Sequence, residues 1–452
     1  SLSHNPYLFS ARTCTHSSFF QSIDASSLGY VTFCGRPVHN RGMVAMRDAA
    51  GGIDLSPLIQ GVSVSKTIEI HALTKEMESS GKEVFSLCVG EPDYQPPPEV
   101  ISAIIEGATK GNTKYTAVTG TVDLREAIAD DLEKRKGVKY GVDQIVVSGG
   151  AKQSIIQALL CLVKPGESVL IPSPYWTSYP DMVKICNAKP VVVETIPQEG
   201  YALTAEALRA VLENNPSTSA IIICNPSNPT GCVMNQGQLE ALAGVLRDFP
   251  KVTVIADEIY EHLTYGVEHT SFAALPGMID RTVVINGFSK SHSMTGLRVG
   301  YAAAPLHVAK ACGKLQSQLT SCASSIGQYA AAKALRSMSK DWLPARVREL
   351  EGKRELMYRL LLDIPGLECP KPDGAFYMLP DVSKYFGGST SSGTKVSNAN
   401  DFCIELLREE GVALVPGEAF GADKCVRLSY AASEELIKES LRRLAKFVAS
   451  LS

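Results

Sequence analysis

Lys290 stands alone among small and hydroxylated residues in GFSKSHSMTGLRVGY, with Arg298 eight positions further on. An amine with room around it can attack a carbonyl, and a guanidinium so near can hold an anion on the same molecule. Other polar residues follow apolar runs nearby. Asp257 ends VTVIAD, a strand pattern otherwise wholly apolar, and a carboxylate there needs a cation or several hydrogen bonds. GGAKQ, Gly149 to Gln153, follows IVVS and opens a helical pattern; its glycines and helix N-terminus either receive an anion or simply make a tight turn. Trp176 in SPYWTSYP either stacks on a planar ligand or plugs a core. Asn225 opens NPSNPTG, whose prolines describe a rigid turn but do not explain a polar residue at a strand's mouth.

All of these positions lie just after strand patterns. IVVS, SVLI, PVVVE, AIIIC, VTVIAD, TVVIN and GYAAA are short apolar runs between helical stretches. They predict an α/β domain with a mainly parallel seven-stranded sheet between helices, buried on both faces. In such sheets ligands gather at the carboxyl ends of the strands. An anion cradle, a stacking plate, a carboxylate, a lysine and an arginine are the groups that pyridoxal 5'-phosphate requires. Its aldehyde needs an amine, its pyridine nitrogen a carboxylate, and its phosphate amides and a cation.

The surrounding chain sets limits. At 452 residues with 45% hydrophobic content, it is long enough for two domains or more. We expect a large domain over 99–332 and a smaller α/β domain from 53–98 and 333–452, which holds GAFYML, VALVP and VRLSYA as strands and DWLPARVRELEGKRELMYRLLLDI as a connecting helix. GGSTSSGTKVSNAN, Gly387 to Asn400, has the composition of a mobile surface loop. A net charge of -3 without a basic block argues against a nucleic-acid partner. No apolar run is long enough to span a bilayer. The twelve cysteines form no C-x-x-C pair, so we expect neither a zinc site nor another metal, and buried reduced thiols. Residues 1–50 hold four arginines, two aspartates and no lysine or glutamate, the composition of an organellar transit peptide.

From about Ile53 onward the chain resembles the fold-type I, class I pyridoxal-phosphate aminotransferases. NPSNPTG, DEIY and SKSHSMTGLRVGY carry that resemblance, while GGAKQ, SPYWTSYP and the MTG-x-R form are similar to the bacterial-type aspartate aminotransferase subgroup. The resemblance implies roles. Lys290 is the Schiff-base lysine and proton shuttle, Asp257 pairs with the pyridine nitrogen, and Tyr260 and Asn225 bond the ring's 3'-oxygen. Trp176 stacks on the ring; the amides of Ala151 and Lys152, with Ser289 and Arg298, hold the phosphate; Tyr115 reaches it from the second subunit of a homodimer. Arg427 takes the substrate α-carboxylate, with Gly90, Trp176 and Asn225 beside it. Lys152 and Thr67 stand at the side-chain end. One departure is Gly287, where many relatives carry a phosphate-binding serine. The implied reaction is transamination of dicarboxylic amino acids and of prephenate, in the chloroplast given the leader. The alternatives are another fold-type I enzyme, such as an aromatic or alanine aminotransferase or an aminocyclopropane-carboxylate-forming lyase, or a ligand-sensing module, against which the intact lysine argues.

Overall fold

The computed structural model describes residues 55–62 and 66–452. The leader over residues 1–50 lies outside them, and so does the side chain of Thr67, although its backbone belongs to the helix Lys66–Ser79.

Each of the seven apolar runs forms a strand of one sheet. Its spatial order is Ile145–Ser148, Gly300–Ala303, Thr282–Gly287, Thr253–Asp257, Thr218–Cys224, Ser168–Ser173 and Lys189–Glu194. Gly300–Ala303 is antiparallel to both of its neighbours, and the other pairs are parallel. The strands Ile145–Ser148 and Thr282–Gly287 are buried along their whole length, as expected where helices cover both faces. At the edge, Lys189–Glu194 is largely exposed or half-buried. Register places Cys224, Asp257 and Ile285 side by side, so the carboxyl ends of three adjacent strands share one level.

Glycine brings the helix Ala151–Leu162 down onto that level. Gly287 faces Gly300 across two strands. A Cβ on Gly287 would stand 2.9 Å from the Gly300 Cα and the Val299 carbonyl, and one on Gly300 would overlap the Gly150 and Ala151 backbone. Close approach of three backbones therefore excludes side chains there. A serine at Gly287 would thus press on the backbone of the Gly300 strand.

A second set of elements packs around its own core. The strands Val415–Pro416, Val426–Ser429 and Tyr377–Met378 form an antiparallel sheet, and Phe85–Ser86 pairs in parallel with Val412–Ala413. The helices Trp342–Leu362, Ala399–Glu410 and Glu434–Ser450 supply Met357, Phe402, Leu444 and Phe447 to that core. The last helix begins at Ser433, whose hydroxyl accepts from the Leu436 amide, and two glutamates complement its positive end.

The segment 387–400 differs from a free loop. Thr390 and Thr394 close a turn, Val396 is buried, and Ser389 exchanges backbone hydrogen bonds with Ser452. Ala399 already belongs to the next helix. Its polar composition hid two apolar anchors, Val396 and Ala399. All ten cysteines among the described residues are free. No helix among those residues is long and apolar enough to cross a membrane.

Gly300→Ala should lower the urea midpoint at an unchanged slope, by about 1–3 kcal/mol in stability, because the added methyl overlaps backbone that cannot swing aside.

Candidate active site

The strand ends open into a cavity of about 420 Å³ lined by Lys152, Lys290, Arg298 and Arg427 and by a single carboxylate, Asp257. Four cations around one anion suit a ligand that brings negative charge of its own.

Asp257 ends the strand Thr253–Asp257 and is 3% exposed. Its Oδ2 accepts from the Tyr179 hydroxyl at 2.6 Å and its Oδ1 from the Ile259 amide at 3.3 Å. Burial raises its pKa to about 6, against the lowering effect of those two donors.

Lys290 lies in the turn after Thr282–Gly287, and its Nζ donates to the Gly90 carbonyl at 2.6 Å. Burial lowers the amine to about 8, with Glu91 opposing and Arg427 and Arg298 assisting. A fraction of the amine is thus neutral near pH 8, as a nucleophile or base must be. Residues 90–94 strap this turn in place. Thr295 donates to the Glu91 carboxylate, Ser293 to the Tyr94 carbonyl, and the Tyr94 hydroxyl to the Lys290 carbonyl.

At one side, Gly150 adopts φ 99 and the helix Ala151–Leu162 begins. Ala151, Lys152 and Ser289 line the cavity there, and a helix start offers unpaired amides to an anion. Arg298 is held with φ 53, a conformation costing on the order of 1 kcal/mol for a residue other than glycine. Its guanidinium donates to the carbonyls of Thr295 and Gly149, at 3.0 and 2.9 Å. Structure is therefore given up locally to aim that cation.

Arg427, on the strand Val426–Ser429, lies between the rings of Tyr377 and Phe420 at 4.5 and 4.8 Å. It donates to Asn228 Oδ1 and to the Cys88 carbonyl, and its buried Nε has no protein partner. An orphaned guanidinium donor beside a cavity is a place for a carboxylate. Tyr260 and Tyr377 share a hydrogen bond of 2.9 Å. Lys152 Nζ lies 4.8 Å from the centre of the Trp176 ring, and burial, then Arg298, lower its pKa.

Gly90, Ala151, Lys152, Trp176, Asp257, Tyr260, Ser289, Lys290, Arg298 and Arg427 thus meet at one cavity. Asn225 does not. Its side chain bonds the Met234 amide and carbonyl at 2.8 and 3.2 Å, pinning the turn that follows. The asparagine at the cavity is Asn228, from the second Asn-Pro step of the same motif. Tyr115 is 89% exposed and is absent from the cavity lining. Tyr179 and Tyr377 escaped the sequence reading, one inside SPYWTSYP and the other in the apolar run GAFYML. Tyr179 stands three positions after Trp176 in the same motif, and that proximity was the available signal.

The donor set fits pyridoxal 5'-phosphate: a desolvated amine, a buried carboxylate, a helix N-terminus and an arginine at one cavity. Comparisons with known proteins agree. A profile of the family described as aminotransferase class I and II matches residues 82–444. A bifunctional aspartate aminotransferase and glutamate/aspartate-prephenate aminotransferase from Petunia hybrida is 42% identical over 412 residues, 90% of this chain and 86% of its own. An aspartate/prephenate aminotransferase from Cereibacter sphaeroides is 40% identical over 88% of this chain and 99% of its own. The crystal structure of the aspartate aminotransferase from Rhizobium meliloti superposes with a TM-score of 0.85 at 39% identity, covering 89% of this chain and 100% of that one. The Thermus thermophilus aspartate aminotransferase with maleate gives 0.82 at 34%, covering 88% and 100%.

The carboxylate at the base of the cavity carries a cost that can be measured. Its folded pKa of about 6 exceeds the ordinary 3.8, so ionisation destabilises the cofactor-free fold. That penalty is absent below about pH 4, grows as pH rises towards 6 and is complete above it. Asp257→Asn should therefore raise apoprotein stability at pH 8 by up to about 3 kcal/mol, and leave it nearly unchanged at pH 4, in urea titrations.

Proposed function

The chain belongs to the class I and II aminotransferases, and on that premise we propose that it transaminates dicarboxylic amino acids and their 2-oxo acids, prephenate among the acceptors. The observation that carries this reading is the cavity's four cations around one carboxylate. One arginine answers a phosphate, one an α-carboxylate, and Lys152 remains for a second carboxylate. The relative determined with maleate, a dicarboxylate, supports the same reading. Relatives named as aspartate and prephenate aminotransferases support the substrate pair.

When bound, pyridoxal 5'-phosphate supplies an aldehyde that an amino group can join and a ring that withdraws electrons from the substrate Cα. The protein does the rest. Arg298, Ser289 and the amides of Ala151 and Lys152 would hold the phosphate, and Asp257 would pair with the pyridine nitrogen. Asn228 and Tyr260 would bond the ring's 3'-oxygen, with Trp176 against its face. Arg427 would grip the α-carboxylate by its free donor edge, near the Gly90 backbone. Lys290 Nζ would be the base that moves the proton between the substrate Cα and the cofactor C4'. Residues 90–94, strapped over the lysine turn, would keep water out.

We infer three further features. A homodimer would bring the exposed Tyr115 to the second subunit's phosphate site. The Arg-containing, Ser-rich first fifty residues and the plant relative support import into the chloroplast. The division into a large domain over 99–332 and a small one from 53–98 and 333–452 is supported by the pairing of Phe85–Ser86 with Val412–Ala413.

Borohydride treatment of the cofactor-loaded protein should fix one cofactor mass to the peptide containing Lys290, and Lys290→Ala should lose both that mass and turnover. Labelling elsewhere would refute the assignment. A screen of amino donors and keto acceptors should rank aspartate, glutamate and prephenate above alanine and pyruvate. Lys152→Gln should raise KM about tenfold for the dicarboxylates and leave alanine almost unaffected, the scale of one lost charged hydrogen bond. Equal losses for both classes would remove Lys152 from the specificity argument.

A further inference from the structure

We propose that Tyr179 is the positioning residue for Asp257: its hydroxyl fixes the plane of that carboxylate and favours its charged form. The inference rests on the reading of Asp257 as the cofactor's partner and adds a residue to which no role has been given.

Four titratable side chains face Asp257: Tyr179, Cys224 on the neighbouring strand, Glu258 next in the chain and Lys290 from the lysine turn. Three of them are engaged elsewhere. Lys290 donates to the Gly90 carbonyl, the Cys224 thiol to the Pro226 carbonyl, and Glu258 accepts from Lys136 Nζ at 2.6 Å and the Ser271 hydroxyl at 2.8 Å. Among the described residues, Tyr179 is the side chain that hydrogen-bonds Asp257, at 2.6 Å. Burial keeps its phenol protonated far above neutral pH, so it acts towards the carboxylate as a donor. A donor to the ionised form favours that form and competes with the desolvation that would protonate it.

Tyr179 also belongs to the same turn as Trp176. Its amide donates to the Trp176 carbonyl at 3.0 Å, and the two rings meet edge to face at 5.4 Å. The plate that lines one side of the cavity and the hydroxyl that orients its base are therefore joined in one turn. With the Ile259 amide on the other carboxylate oxygen, two donors define one carboxylate plane. An aspartate held at one oxygen only would remain free to swivel about its Cβ–Cγ bond.

The experiment compares Tyr179→Phe, Asp257→Asn and the double variant by titrating each apoprotein with pyridoxal 5'-phosphate at pH 6 and pH 8.5, with apoprotein melting temperatures alongside. Phe keeps the ring against Trp176 and removes only the donor. Tyr179→Phe should weaken cofactor binding about tenfold at pH 6 and clearly less at pH 8.5, because a carboxylate without its donor takes up a proton at higher pH. In the Asp257→Asn background the same change should alter affinity less than about threefold, since the effect runs through the carboxylate. Unchanged affinity of Tyr179→Phe at both pH values overturns the proposal, and so does an equal loss in both backgrounds. If Tyr179→Phe does not fold, the double variant carries the test: it should fold, its neutral amide needing the donor less, and bind as Asp257→Asn does. If Asp257→Asn itself binds cofactor like the wild type, the assignment of Asp257 fails first and the role of Tyr179 with it.

Discussion

A carboxylate at the end of an apolar strand is costly to bury, and much of this cavity is arranged around that cost. Asp257 sits level with Cys224 and Ile285, among strands with apolar side chains on both faces. Water cannot solvate it there, so its charge depends on two donors and on a surplus of cations at the cavity. The same low-dielectric surroundings pull Lys290 down to about 8. One physical condition, desolvation, thus raises an acid and lowers a base within a single site. A ligand that brings a phosphate, a protonatable ring nitrogen and an aldehyde answers both groups at once.

Backbone proximity is the second constraint. Gly287 and Gly300 let a helix start and two strands approach without side chains between them, which brings the Ala151 backbone close to the strand, and Gly150 leaves room for the Arg298 guanidinium. Arg298 accepts an unfavourable backbone conformation to reach the same place. Behind the site, Lys136 pairs with both Glu258 and Glu261, and Arg135 adds to Glu261, so the chain segment carrying Asp257 and Tyr260 is fastened from the rear. Removing one partner from such a buried cluster leaves an uncompensated charge, which makes the cluster a rigid mount.

Most of the architecture was legible in one dimension. Each of the seven apolar runs became a strand, since a run of β-branched residues without polar alternation has few other places to go than a covered sheet. Strand-mouth residues such as Lys152, Trp176, Asp257, Lys290 and Arg298 were legible for the same reason and meet at the cavity, whereas Gly90, Tyr260, Ser289 and Arg427 were legible only through the family motifs. Asn225 and Asn228 were not distinguishable in this way. Both precede proline in one motif, and only the folded turn sends one side chain to Met234 and the other to Arg427. Segment 387–400 misled by composition, because buried Val396 and Ala399 outweigh their polar and glycine neighbours in deciding whether the segment is anchored.

What the sequence determined by itself was chemistry by kind: a lysine, a carboxylate, an arginine and an aromatic, placed at the ends of strands that their own side chains specified. What only the tertiary structure decided was which groups touch. Register set the level of Asp257, glycine contacts set the reach of the helix amides, and packing against Trp176 set Tyr179 on the carboxylate. The reason is physical. Strand and helix preferences are local and periodic, whereas hydrogen-bond partners and desolvation depend on atoms brought together from distant parts of the chain.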